Sequence, residues 1–110
     1  MTWVETFDGL EGERAPTRAA DCPRCGSPRT FELWAFVDRS RPGWTLSDAE
    51  VAAHGLHRAV ERGLTVTRVG PGLPPAFLGE LACEACGASG PVVASVWEFQ
   101  PCRWMGGVVR

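Results

Sequence analysis

Four of the five cysteines in this 110-residue chain fall into two Cys-x-x-Cys-Gly units, Cys22-Pro23-Arg24-Cys25-Gly26 and Cys83-Glu84-Ala85-Cys86-Gly87. Two cysteines three apart in a tight turn aim both sulfurs at one point. The trailing glycine lets the backbone take positive φ, so that amide hydrogens turn toward the thiolates. Two such turns supply the four-thiolate tetrahedron that zinc prefers, with Zn–S near about 2.3 Å. Disulfides are the competing chemistry, and the spacing together with an expected cytoplasmic setting favours metal. Arg24 and Arg29, beside the first pair, are expected to offset part of the sulfur charge.

The other reactive side chains form no comparable group. His54 and His57 stand at i, i+3 within an expected helix and lack a third ligand, so surface or half-buried positions are expected for both. Cys102 has no cysteine partner and reads as a buried, inert thiol. Five tryptophans are many for such a chain. Trp34 and Trp97 follow the two cysteine units and are expected to pack the core near the metal. Trp44 lies in a Pro-Gly loop beside Arg39 and Arg41, and Trp104 follows Arg103 in the tail. Trp and Arg are enriched among residues that carry interface energy, which makes these five a candidate partner-binding surface. Folding of Trp44 and Trp104 back onto the core is the alternative.

The elements that must position these groups follow from pattern. Residues 1–21 read as an irregular N-terminal arm, which Trp3, Val4 and Phe7 could tie to the core as a short strand. Residues 30–37 read as an apolar strand. Ser47, three residues before Glu50, is a capping-box signature, and the spacing predicts a helix over 48–62 that stops at Gly63. Residues 64–69 alternate like a strand, residues 91–99 form another, and the tail from Cys102 reads as a flexible end. A single domain over 1–110 is expected, with 42–75 as a helical insertion between the cysteine units.

At the two cysteine units the chain resembles the zinc-ribbon class, including bacterial proteins with a double CxxCG motif. Pro23 also matches the bacterial Cys-Pro-x-Cys knuckle, whereas Glu84 and Ala85 depart from it. The resemblance implies a metal site and a ribbon-like hairpin core, and it transfers no function. The expected fold class is therefore α+β: a zinc-ribbon-like antiparallel β core with two CxxCG knuckles and one helix in a long insertion. The 57 residues between Cys25 and Cys83 exceed the gap of compact fingers.

Composition bounds the function. There is no Lys, Ile, Asn or Tyr, and all eleven basic residues are Arg. This pattern fits a G+C-rich, bacterial-type genome and discounts the arginines as a nucleic-acid signal. Net charge is −2, so no general attraction to phosphate is expected. No apolar run reaches the roughly 18 residues a membrane span needs, and the first residues lack the basic and apolar regions of a secretory signal. The expectation is a cytoplasmic, non-enzymatic protein with one structural Zn2+ on Cys22, Cys25, Cys83 and Cys86. It would act on another protein through Trp44, Arg39, Arg41, Arg103 and Trp104. A nucleic-acid-binding ribbon using Arg24, Arg29, Arg39 and Arg41 is the first alternative, and a rubredoxin-like iron electron carrier the second.

Overall fold

The computed structural model describes residues 2–8, 17–100 and 103–109, with side chains for 17 and 19–96. In chain order the elements are β1 (Thr2–Asp8), β2 (Thr17–Asp21), β3 (Pro28–Glu32), α1 (Leu33–Arg39), β4 (Arg41–Pro42) and a 3-10 turn (Gly43–Thr45). There follow α2 (Asp48–Ala53), β5 (His57–Glu61), β6 (Leu64–Arg68), β7 (Ala76–Ala82), β8 (Ser89–Gln100) and β9 (Arg103–Val109). A five-stranded antiparallel sheet runs β1-β9-β8-β7-β4, and β2-β3 and β5-β6 form separate two-stranded sheets. The mixed, antiparallel and helix-poor architecture is compatible with a zinc-ribbon-like fold. None of the helices is long and apolar enough to cross a membrane, among the described residues.

The central sheet is covered on both faces, which is why β8 carries an uninterrupted buried run over 92–96 rather than a clean alternation. On one face, Val92 and Ala94 of β8 and Leu81 of β7 join Ala20, Phe31, Leu33 and Phe36 in one apolar cluster. On the other, Val93 of β8 meets Ala76 and Leu78 of β7 together with Leu46, Val51 and Val69 from the insertion. The cross-strand partners Leu78 and Val93 share that second face, as antiparallel register requires.

Several sequence expectations are corrected. The apolar stretch 30–37 splits: β3 ends at Glu32, and Leu33–Arg39 turns into α1, burying Leu33 and Phe36 with Trp34 and Val37 packed alongside. A short apolar run fits either period, and packing decides it here, with the Phe31 and Phe36 rings 4.9 Å apart. Trp34 therefore sits half-buried on a helix rather than in a strand. The arm 1–21 is not wholly irregular, because β1 and β2 are strands within it, while residues 9–16 lie outside the described set. The tail forms β9, paired with both β8 and β1.

The largest correction is in the insertion. Its helix starts where the capping box puts it: Ser47 Oγ accepts from the Glu50 amide, and Glu50 Oε1 accepts from the Ser47 amide. The helix ends at Ala53, well short of 62, and a left-handed Gly55 (φ 64°) follows its cap His54. The Leu56 amide reaches Val51 O at 2.9 Å and the Gly55 amide reaches Ala52 O at 3.2 Å, the two bonds of a Schellman stop. Residues 57–68 then form the β5-β6 hairpin, turning at Arg62 and Gly63, both at positive φ as a two-residue type I′ loop demands. Gly63 thus turns a hairpin instead of stopping a helix.

Arginine side chains fasten this insertion. Arg58 donates to Asp48 Oδ1, Thr67 Oγ1, Gly43 O and Leu46 O, and Arg68 grips Glu61 while donating to Leu73 O.

Candidate metal centre

Each cysteine unit is the loop of its own hairpin. In the first, the flanking strand residues Asp21 and Pro28 pair across β2 and β3; in the second, Ala82 and Ser89 pair across β7 and β8. The loop hydrogen bonds repeat as well. The Cys22 amide donates to Ser27 O at 2.8 Å and the Gly26 amide to Cys22 O at 2.8 Å. In the second loop, the Cys83 amide donates to Ala88 O and the Gly87 amide to Cys83 O, both at 2.7 Å. Gly26 and Gly87 sit at φ 79° and 75°, a conformation that costs glycine little and other residues more.

The two loops face each other. All four sulfurs lie within 4.8 Å of one another, a group that could hold a metal ion. Cys22 Sγ stands 3.7 Å from Cys86 Sγ, and Cys25 Sγ stands 3.6 Å from Cys83 Sγ. A tetrahedron with metal–sulfur bonds of about 2.3 Å has edges of about 3.8 Å, so the observed spacing suits a tetrahedral tetrathiolate. Cys22 and Cys83, the first of each pair, are buried, and Cys25 and Cys86 are exposed. With sulfur donors only, the set fits zinc or iron rather than calcium or magnesium.

The electrostatics point the same way. The amides of Cys25 and then Arg24 donate toward Cys22 and hold its thiol below the ordinary value. The Ser27 hydroxyl and amide, helped by Cys83, bring Cys25 down to about 6. Cys86 accepts from the Ala88 amide, which lowers it, but local desolvation of its sulfur and the three neighbouring sulfurs outweigh that and push it up to about 12. Four sulfurs this close cannot all be anionic without a cation among them. A bound divalent ion removes that conflict.

The other sequence candidates disperse. Trp44 is 70% exposed on the 3-10 turn, so it does not fold back onto the core. Arg39 and Arg41 line a hollow of about 570 Å³ with Glu50, His54 and Glu80, floored by Phe36 and Leu78. Trp44 is not among its walls. Arg41 forks onto Glu50 through two bonds of 2.7 Å. His54 caps the C-terminus of α2 and His57 opens β5, so the two do not share a helix face. The side chains of Trp97, Arg103 and Trp104, and all of Cys102, lie outside the described residues.

Arg29 is the residue whose surroundings the sequence did not reveal. The sequence offers it as an offset to sulfur charge or, in the nucleic-acid alternative, as a phosphate contact; it is 8% exposed and donates to main-chain oxygens, which leaves no exposed phosphate-facing role. In a chain whose cations are all arginine, no local pattern separates this one from the rest. Compared with known proteins, the chain matches no family model, no curated protein and no solved structure.

Proposed function

We propose that the chain is a small zinc-binding module that works by docking on another protein, with Cys22, Cys25, Cys83 and Cys86 as the ligands of one structural zinc. The carrying observation is the four-sulfur group, with facing pairs 3.6 and 3.7 Å apart. Four protein thiolates fill a tetrahedral shell and leave no open position for substrate or water, which favours a scaffold over a hydrolytic centre. The exposed Trp44, close in sequence to Arg39 and Arg41, supports a protein-facing surface, since large aromatics and Arg supply most of an interface's energy. With Arg29 buried and Arg41 engaged by Glu50, the proposed phosphate-facing cluster shrinks, which counts against the nucleic-acid reading.

The test combines metal content with capture. Chain purified from its native host without chelator should carry zinc at 1:1. Trp44→Ala should keep that zinc and the melting temperature while losing the protein partner that the unaltered chain retains. Red, iron-loaded protein would support the electron-carrier reading instead. Salt-sensitive binding to an oligonucleotide, with no protein retained, would support the nucleic-acid one.

A further inference from the structure

Arg29 sits at a particular place in the frame around the sulfurs. Its Nε donates to Ala20 O at 2.9 Å and one Nη to Asp21 O at 3.2 Å, on the two residues that run into Cys22. Its other Nη reaches Leu81 O at 3.4 Å, two residues before Cys83. The strands so gripped, β2 and β7, belong to different sheets and share no ladder. Each cysteine loop is closed by hydrogen bonds within its own hairpin, but nothing in those ladders fixes one loop against the other. A planar, five-donor fork can span two strands at set angles, which a flexible ammonium cannot do.

Charge adds a second reason. A buried guanidinium is costly unless something compensates it, and its three acceptors here are neutral carbonyls. A divalent ion with four thiolates carries a net charge of −2, placed next in sequence to both gripped strands.

From this we propose that Arg29 is a positioning residue of the metal centre: it sets the separation of the two cysteine loops and supplies a buried counter-charge to the loaded tetrathiolate. The proposal rests on the metal reading given above. Arg29 touches neither the sulfurs nor the ion in this role, and acts through the backbone that carries the ligands. Groups that orient metal ligands from behind typically account for about 10- to 100-fold in affinity.

The full-length chain loaded with Co(II) tests it, because cobalt reports tetrathiolate geometry in its absorption bands and chelator competition reports affinity. Arg29→Met should bind cobalt about 10- to 100-fold more weakly, with altered band intensities. Arg29→Lys, which keeps charge but loses the fork, should fall between Arg29→Met and the unaltered chain. Val69→Ala, in the apolar cluster on the opposite face of the sheet, should lower the melting temperature while leaving cobalt affinity and spectrum unchanged. Unaltered spectrum and affinity in Arg29→Met overturn the proposal, as does an equal loss of affinity in Val69→Ala. If Arg29→Met does not fold, Arg29→Lys decides alone, and affinity equal to the unaltered chain overturns the proposal. A wild-type chain that takes up no cobalt overturns the metal reading and this proposal with it.

Discussion

Glu50 serves two neighbours at once. It closes the capping box with Ser47 and accepts both arms of the Arg41 fork. The Arg41 hydrogen bonds, then the Ser47 amide, bring its carboxyl down from 4.5 to about 2. A carboxylate with a depressed folded-state value stabilises the fold above its unfolded value and loses that contribution as pH falls through the folded one. The advantage of the native chain over Glu50→Gln should therefore be full well above pH 4.5, decline below it, and disappear only as pH falls through about 2. Glutamine can still accept from the Ser47 amide, so the comparison reads the carboxylate charge, which the Arg41 fork favours most and that amide next. Carboxyl NMR should place the Glu50 midpoint near 2, and in Arg41→Met it should return toward 4.5; an unmoved midpoint would refute the pairing. The capping partner was legible because both residues lie within one turn. The Arg41 partner was not, since it lies on another element and only tertiary packing brings it near.

At the scale of elements, signals written within a few residues were readable and signals needing a competing partner were not. The helix start at Ser47, the strand β6 and the Cys-x-x-Cys-Gly loops each carry their own local chemistry. The helix end was misplaced because Ala52, Leu56, Ala59 and Val60 mimic a helical stripe, although Val60 is 73% exposed and only Val51 of α2 is buried. Gly55 shows how much hangs on the distinction. In a helix interior, Gly→Ala would stabilise by about 1 kcal/mol. At a left-handed stop with φ 64° the sign reverses, and Gly55→Ala should destabilise by about 1–2 kcal/mol. A denaturant midpoint that falls fits the Schellman stop, and one that rises would restore the long helix.

For the whole molecule, the four-cysteine group joins parts of unequal robustness. The β7-β8 pair lies in a sheet with apolar clusters on both faces, whereas β2-β3 is a two-stranded sheet, marginal alone. What holds β2-β3 in place is the shared apolar cluster, the Arg29 grip and the sulfur group. Withdrawing metal with a chelator should lower the melting temperature and release amide protection in β2-β3 before β7-β8; Cys83→Ser should do the same without chelator. Uniform loss of protection, or none, would mean the ion does not link the two hairpins. The four clustered cysteines were legible in the sequence as candidate ligands, but what brings them together was not, because it is an apolar cluster that joins Ala20 and Phe31 of one hairpin to Leu81 and Val92 of the other. The far edge of the five-stranded sheet carries its own consequence. Edge strand β4 is two residues long, and Pro42 has no amide hydrogen to offer. An incoming chain finds no ladder to extend there. A protein that meets Trp44, two residues beyond, would recognise it by shape and side chain and not by extending β4.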